Sequence, residues 1–353
     1  MSDSVRDSVR DSARDSAARE RAVARALLRA AMRASDVDAT GATEVDLGRF
    51  VGVRTDDALW LAARPLSADL GAATPGATGV LGTALTAVAQ SQFRHATPIA
   101  RVAIVGEAGS LGVVARQAAY FPLDIAVCAL AGSTLTAVEP DAHLMQREPA
   151  AAHLEVGNVM RAAGADVVVE HAVVAGEVCG LEVARIVDEE GAARLRIGVG
   201  SHDRETFRML HGDDAGVDQL RGVVAHVARH RAAGAPAHPL NRLAPERALR
   251  AAVVANPSRI AARVVRIAEP PVARANLQDS VPCVATAQMN DGDEAVVVFT
   301  AGVMVDAVPF AADARDRLNA GARLLIVADS RNMLPTQQRL AAMLPQPATF
   351  VSA

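Results

Sequence analysis

The sequence predicts an α/β protein in which two Rossmann-like βαβαβ units, one near each end, flank an αβββα middle domain. Three observations predict it. Short apolar runs alternate with helical stretches near both ends of the chain. The two end regions match in order and in a few residues: Arg101 aligns with Arg323, and Glu107 with Asp329, at one constant offset. Between them the pattern changes to a helix, three strands and a helix.

The first residues read DSVR, DSVR, DSAR and DSAA. On a helix this period stacks Asp over Asp, so 1–18 is expected to be a disordered tail. Residues 19–42 begin as an amphipathic helix with Arg21, Arg25, Arg29 and Arg33 in one line. The stripe reads either as a contact for phosphate or an acidic partner, or as a solvated helix face. Region 43–140 holds the first βαβαβ unit, with strands at 58–64, 101–105 and 124–130 and helices at 80–92 and 111–121. Region 141–265 is the middle domain: a helix over 151–163, strands at 167–174, 177–187 and 194–200, then helices from Ser201 and over 216–231. Pro-rich turns and a short helix after Pro245 complete it. Residues 266–292 read as a linker. Region 293–353 is the second unit, with strands at 295–300, 323–329 and 348–353 and helices at 309–319 and 335–344. Neither end unit buries enough surface alone, so the two are expected to share one sheet or to pack as two.

Composition narrows the function classes. The net charge of -4 does not suit a basic nucleic-acid binder. Cys128, Cys179 and Cys283 lie far apart, which suits a reducing compartment rather than a disulfide framework. No apolar run reaches the roughly 18 residues of a membrane helix, and no secretory signal opens the chain, so a cytoplasmic protein without membrane contact is expected. All 36 basic residues are arginine. A guanidinium forms no Schiff base and is no base at neutral pH. Pyridoxal-phosphate enzymes, Schiff-base aldolases, P-loop NTPases, standard kinases and Ser-Lys hydrolases therefore do not fit.

Three candidate sites remain. Gly106, Gly109 and Gly112 form GxxGxxG between a strand and a helix, the context in which glycines admit a pyrophosphate and NAD(P). No acid ends the following strand to hold a ribose. In the middle domain Glu182 interrupts an apolar strand. Gly198 and Gly200 leave space beside it, and His202, Asp203 and Glu205 open a helix. These four side chains are candidates for acid–base work, and Glu182 with Asp203 for a divalent metal. The structural alternative is an ion pair between Glu182 and Arg196 or Arg185, with Asp203 and Glu205 favouring a helix N-terminus. Third, Glu107, Asp306 and Asp329 follow strand ends, where open parallel sheets bind ligands, and Asp313 and Asp316 lie on the next helix. His226 and His230 are four apart on a helix, a spacing that can hold zinc, but without the acid of HExxH they read as surface histidines on an Arg-rich helix.

The αβββα order, with GEVCGLEVARIV and LRIGVG as its hairpin, resembles the restriction-endonuclease-like nuclease core. The resemblance implies an acid at Glu182 or Glu177 and an E-x-K on the next strand; Gly198 and Gly200 occupy those positions. The runs GLEVARI, GVGSHDRETFRMLHGD and HPLNRLAPER are similar to an uncharacterised family of GC-rich Gram-positive bacteria, which implies no activity. The leading expectation is a nucleotide- or nucleic-acid-binding protein with a degenerate nuclease-like middle domain. An NAD(P)-dependent enzyme and a non-catalytic assembly protein are the alternatives. A small-molecule or nucleotide ligand and a homo-oligomer fit any of them.

Overall fold

The computed structural model describes residues 3–64, 79–94, 98–107, 109, 111–212, 216–232, 234–273 and 281–353, with side chains from residue 15 onward except at 93, 94 and 211. It is a mixed α/β structure with three sheets. Helix α1 spans Asp3–Ala34. Where the sequence suggests a disordered tail over 1–18, the backbone carries α1 back to Asp3; the side chains of 1–14 lie outside the described residues. Ala24, Leu28, Ala31 and Met32 are buried, spaced as one helical stripe. They pack on Val51, Trp60, Ala62 and Val105. The arginine line divides. Arg21 meets Asp46 at 3.5 Å and Arg25 meets Glu44 at 2.7 Å, whereas Arg29 and Arg33 are exposed. The acidic partner of the first half is therefore this chain's own first strand.

That strand, β1 (Thr43–Leu47), leads into β2 (Phe50–Arg54), β3 (Ala58–Ala62), α2 (Val80–Arg94), β4 (Arg101–Gly106), α3 (Gly112–Ala118), β5 (Asp124–Ala131) and β6 (Thr134–Ala137). The sheet order is β1-β2-β3-β4-β5-β6. Strands β3, β4 and β5 are parallel, and the other pairings are antiparallel. The expected βαβαβ unit is β3-α2-β4-α3-β5. Trp60 and Ala62 face α1, and period two turns Leu59 and Leu61 to the opposite face. Burial on both faces explains why β3 reads as an unbroken apolar run. The strands are added in sequence order, so this sheet has no topological switch point.

The middle region contains α4 (Ala151–Ala162), β7 (Asp166–Glu170), β8 (Val173–Val178), β9 (Leu181–Glu189), β10 (Ala192–Ile197), α5 (Gly200–His211) and α6 (Val217–Arg231). Its sheet is an antiparallel meander of order β10-β9-β8-β7, four strands where the sequence suggests three. The run expected as one strand over 167–174 folds back at His171 and Ala172, both with positive φ. The strand expected over 177–187 is divided by a turn at Cys179 and Gly180. A Cβ on Gly180 would lie 2.2 Å from the Arg247 carbonyl oxygen, so only glycine fits.

The last region begins with a 3-10 turn, Pro239–Arg242, and α7 (Pro245–Ala255). It continues through β11 (Ala262–Ala268), β12 (Cys283–Met289), β13 (Glu294–Phe299), α8 (Ala307–Asn319), β14 (Arg323–Ala328), α9 (Pro335–Met343) and β15 (Ala348–Ser352). The expected linker at 266–292 instead contains the end of β11 and all of β12; 274–280 lie outside the described residues. These strands form a third sheet, β11-β12-β13-β14-β15, with β13 and β14 parallel. The two βαβαβ sets thus lie in different sheets, not in one shared sheet.

The chain divides into two compact units that do not follow the expected boundaries. The first comprises 1–142, 305–313 and 334–348. Within it α9 packs on α2. The second comprises 143–304, 314–333 and 349–353. Among the described residues no helix is long and apolar enough to cross a membrane.

Candidate functional site

Glu182 on β9 is 3% exposed. Arg185 donates to its two oxygens from Nε and Nη2, both at 2.9 Å, and Arg204 from Nη1 at 3.0 Å. Arg204 reaches it because α5 closes against the sheet over Gly198. A Cβ there would lie 2.7 Å from the Arg204 nitrogen. Burial lowers the Arg204 pKa although Glu182 pulls it up. Arg196, the other expected partner, turns to Glu189 at 2.9 Å. Asp203 accepts from the Val199 N–H at 2.6 Å and so holds the start of α5. His202 is exposed, and exposed Glu205 stands 3.9 Å from Arg208. The carboxylate of Glu182 is enclosed by arginines, and His202 and Glu205 lie on the exposed part of α5. Among the described residues no group of three or more His, Cys, Asp and Glu is arranged to hold a metal ion.

The glycine turn has a local explanation. Gly106 ends β4, and Gly109 has φ +87° over open space. At Gly112 a Cβ would lie 2.1 Å from Asp141 Oδ1, and the Asp141 N–H donates to the Gly112 carbonyl at 3.0 Å. Positions 108 and 110 lie outside the described residues. One turn further along α3, Arg116 donates to Asp141 and Ala142 carbonyls at 2.6 and 3.2 Å and to Asp313 at 2.8 and 3.0 Å. Gln117 and Tyr120 also donate to Asp313, which is fully buried. Asp306 accepts from the N–H groups of Gly79 and Gly82 at the start of α2. Glu107 pairs with Arg64, Asp329 with Arg331, and Asp316 with His143.

A second arginine–carboxylate set lies under α7. Arg247 and Arg250 both engage Glu170 and Glu177, with Arg250 Nη1 at 2.7 Å from Glu170. Burial pushes the Glu170 pKa up, and the two arginines hold it below the usual carboxylate range. Arg250 is fully buried, so this network is closed to ligands. Burial also pushes the Cys283 thiol up to about 12, which leaves it no nucleophile.

An open groove of about 690 Å³ lies elsewhere in the middle region, among α5, α6 and the 239–242 turn. Val199, Phe207, Val223, Val227, Leu240 and Leu243 make its apolar surface. Asp203, Gln219, His226 and His238 supply polar groups. His230 stacks on His238 with ring centroids 3.9 Å apart and planes 18° from parallel. Its edge meets His226 at 4.8 Å. Burial first, then His238, His226 and Arg229, lower the His230 pKa. Of the site residues expected from the sequence, Asp203 lines this groove, and His226, which the sequence suggests is a surface residue, joins it there. The signal for it was the crowding of eight of the nine histidines between His143 and His238. Nothing in the sequence joined His238 to the pair on α6, because the chain turns back through a Gly/Pro loop to bring it there.

The described residues form an α/β protein of three sheets with an open, mostly apolar groove in its middle region. No protein-family model, curated protein or solved structure matches the chain.

Proposed function

We propose that the protein binds a small molecule in this groove, and that the ligand is a neutral planar heterocycle of nucleobase or nucleoside size. The groove itself carries the reading. Its volume lies within the roughly 300–1,000 Å³ of small-molecule sites, and it combines apolar walls with a few polar groups. Imidazole and phenyl rings suit stacking on a planar ligand, and Gln219 and Asp203 suit hydrogen bonding to its edge. No arginine is among the described residues that line it, although every basic residue of the chain is arginine. A phosphate therefore gains nothing there, which favours a nucleoside over a nucleotide or a nucleic-acid strand. The NAD(P) reading has less support: Asp141 fills the space at Gly112, and the β1–β6 sheet has no switch point.

Thermal melts with nucleosides and their monophosphates test this. At about 100 times Kd a bound nucleoside adds about 2.7 kcal/mol, a rise in Tm of a few degrees. The monophosphate should bind no better, and Val223→Trp, which fills the groove, should abolish the shift. No response to any nucleoside, or a shift that survives Val223→Trp, rejects the reading.

A further inference from the structure

The wall of the groove is fastened by two devices of different chemistry. Arg231, at the end of α6, donates to the carbonyls of Cys179, Leu240 and Leu243 at 2.7–3.2 Å. Arginine stays charged at any working pH, so this hook does not change. The neighbouring His230 stacks on His238. His238 in turn accepts the Leu240 N–H on its Nδ1 at 3.3 Å and so caps the 239–242 turn. An imidazole accepts at Nδ1 only when that nitrogen carries no proton.

We propose that the His230–His238 stack is an acid-sensitive clasp: protonating the pair parts the rings, uncaps the 239–242 turn and loosens the groove wall. A charge on His230 works in this direction: burial, His238, His226 and Arg229 each disfavour it. Asp203 on α5 is the acid lining the same groove, and its carboxylate is engaged with the Val199 N–H. Because the folded state disfavours protonated His230, the clasp is closed at neutral pH and loses stability as pH falls through and below the ordinary imidazole range. Arg231 keeps 240–243 attached meanwhile, so the opening stays local. If the groove holds a neutral heterocycle, as proposed above, mild acid releases it.

Amide hydrogen exchange on the full, ligand-free chain tests the clasp independently of any ligand. The Leu240 amide should lose about tenfold in protection factor between pH ~8 and pH ~5, the loss of one capping hydrogen bond. His238→Asn keeps an acceptor that does not titrate, so its Leu240 protection should stay level. Equal protection at both pH values in the unaltered protein, or an equal loss in His238→Asn, overturns the clasp. A clasp that opens while nucleoside affinity stays the same overturns the release step alone. A clasp that opens in a protein binding no nucleoside rejects the ligand and leaves the clasp standing.

Discussion

Glu182 shows what a single residue reveals and conceals. A carboxylate in an apolar strand needs a partner, and that need was legible in CGLEVARIV. Half of the partnership was also legible, since Arg185 is three positions away. The other half was not. Arg204 arrives from α5 across Gly198, a contact decided by how a later helix docks. With both arginines engaged, Glu182→Gln should cost about 2 kcal/mol in a denaturant melt, because it leaves two guanidinium groups short of a counter-charge. An unchanged or raised stability would mean that the carboxylate is strained for a ligand instead. Asp306 makes a second prediction at this scale. Burial pushes its carboxyl up to about 6, while the N–H groups of Gly82 and Gly79 pull it down. A raised pKa means that the folded state prefers the protonated acid. The stabilisation is full below the ordinary carboxylate value and is lost as pH rises through about 6. Between about pH 4 and pH 7 the loss is on the order of 2 kcal/mol, and Asp306→Asn should remove it. The difference between the two proteins, followed across that range, isolates this group from His230, whose slope is opposite.

At the scale of the element, the later half of α1 and the two βαβαβ series were readable because their periodicity is local. The β7–β8 hairpin was not. His171 and Ala172 are not turn-forming residues, yet both hold positive φ. What holds them is distant in sequence: the Glu269 carboxylate accepts the His171 N–H at 2.7 Å and is itself paired with Arg317. A turn fixed by a carboxylate 98 residues away leaves no local signature. The next two turns differ in a testable way. Gly180 (φ +76°) is pressed against the Arg247 carbonyl, whereas Gly191 (φ +78°) faces open space. Gly191→Ala should cost about 1 kcal/mol, the backbone penalty alone. Gly180→Ala should cost about 3 kcal/mol or more, because α7 must also move. Equal costs in chemical melts would refute the close approach of α7.

The pattern of elements at both ends revealed the α/β class of the whole molecule, but not the division of the chain. Both compact units are assembled from separate stretches, and the last fifty residues alternate between them. A chain ending at Met304 lacks α9, which packs on α2 in the first unit, and β14 and β15, which complete the third sheet in the second. Its melt should lose cooperativity in both units. A truncated chain that melts near the full-length temperature would show that one unit stands without those pieces. The same interleaving constrains how the chain is made. A ribosome delivers residues in order, and neither unit has all its parts until 334–353 has left the exit tunnel. Two of the three sheets have all their strands by Ile197, but the third waits for β14 and β15, and the first unit for α9. Synthesis therefore offers this protein little of the stepwise, domain-by-domain folding open to a chain with contiguous units. A pause or a nonsense codon between 305 and 333 leaves both units incomplete and open to chaperones and proteases.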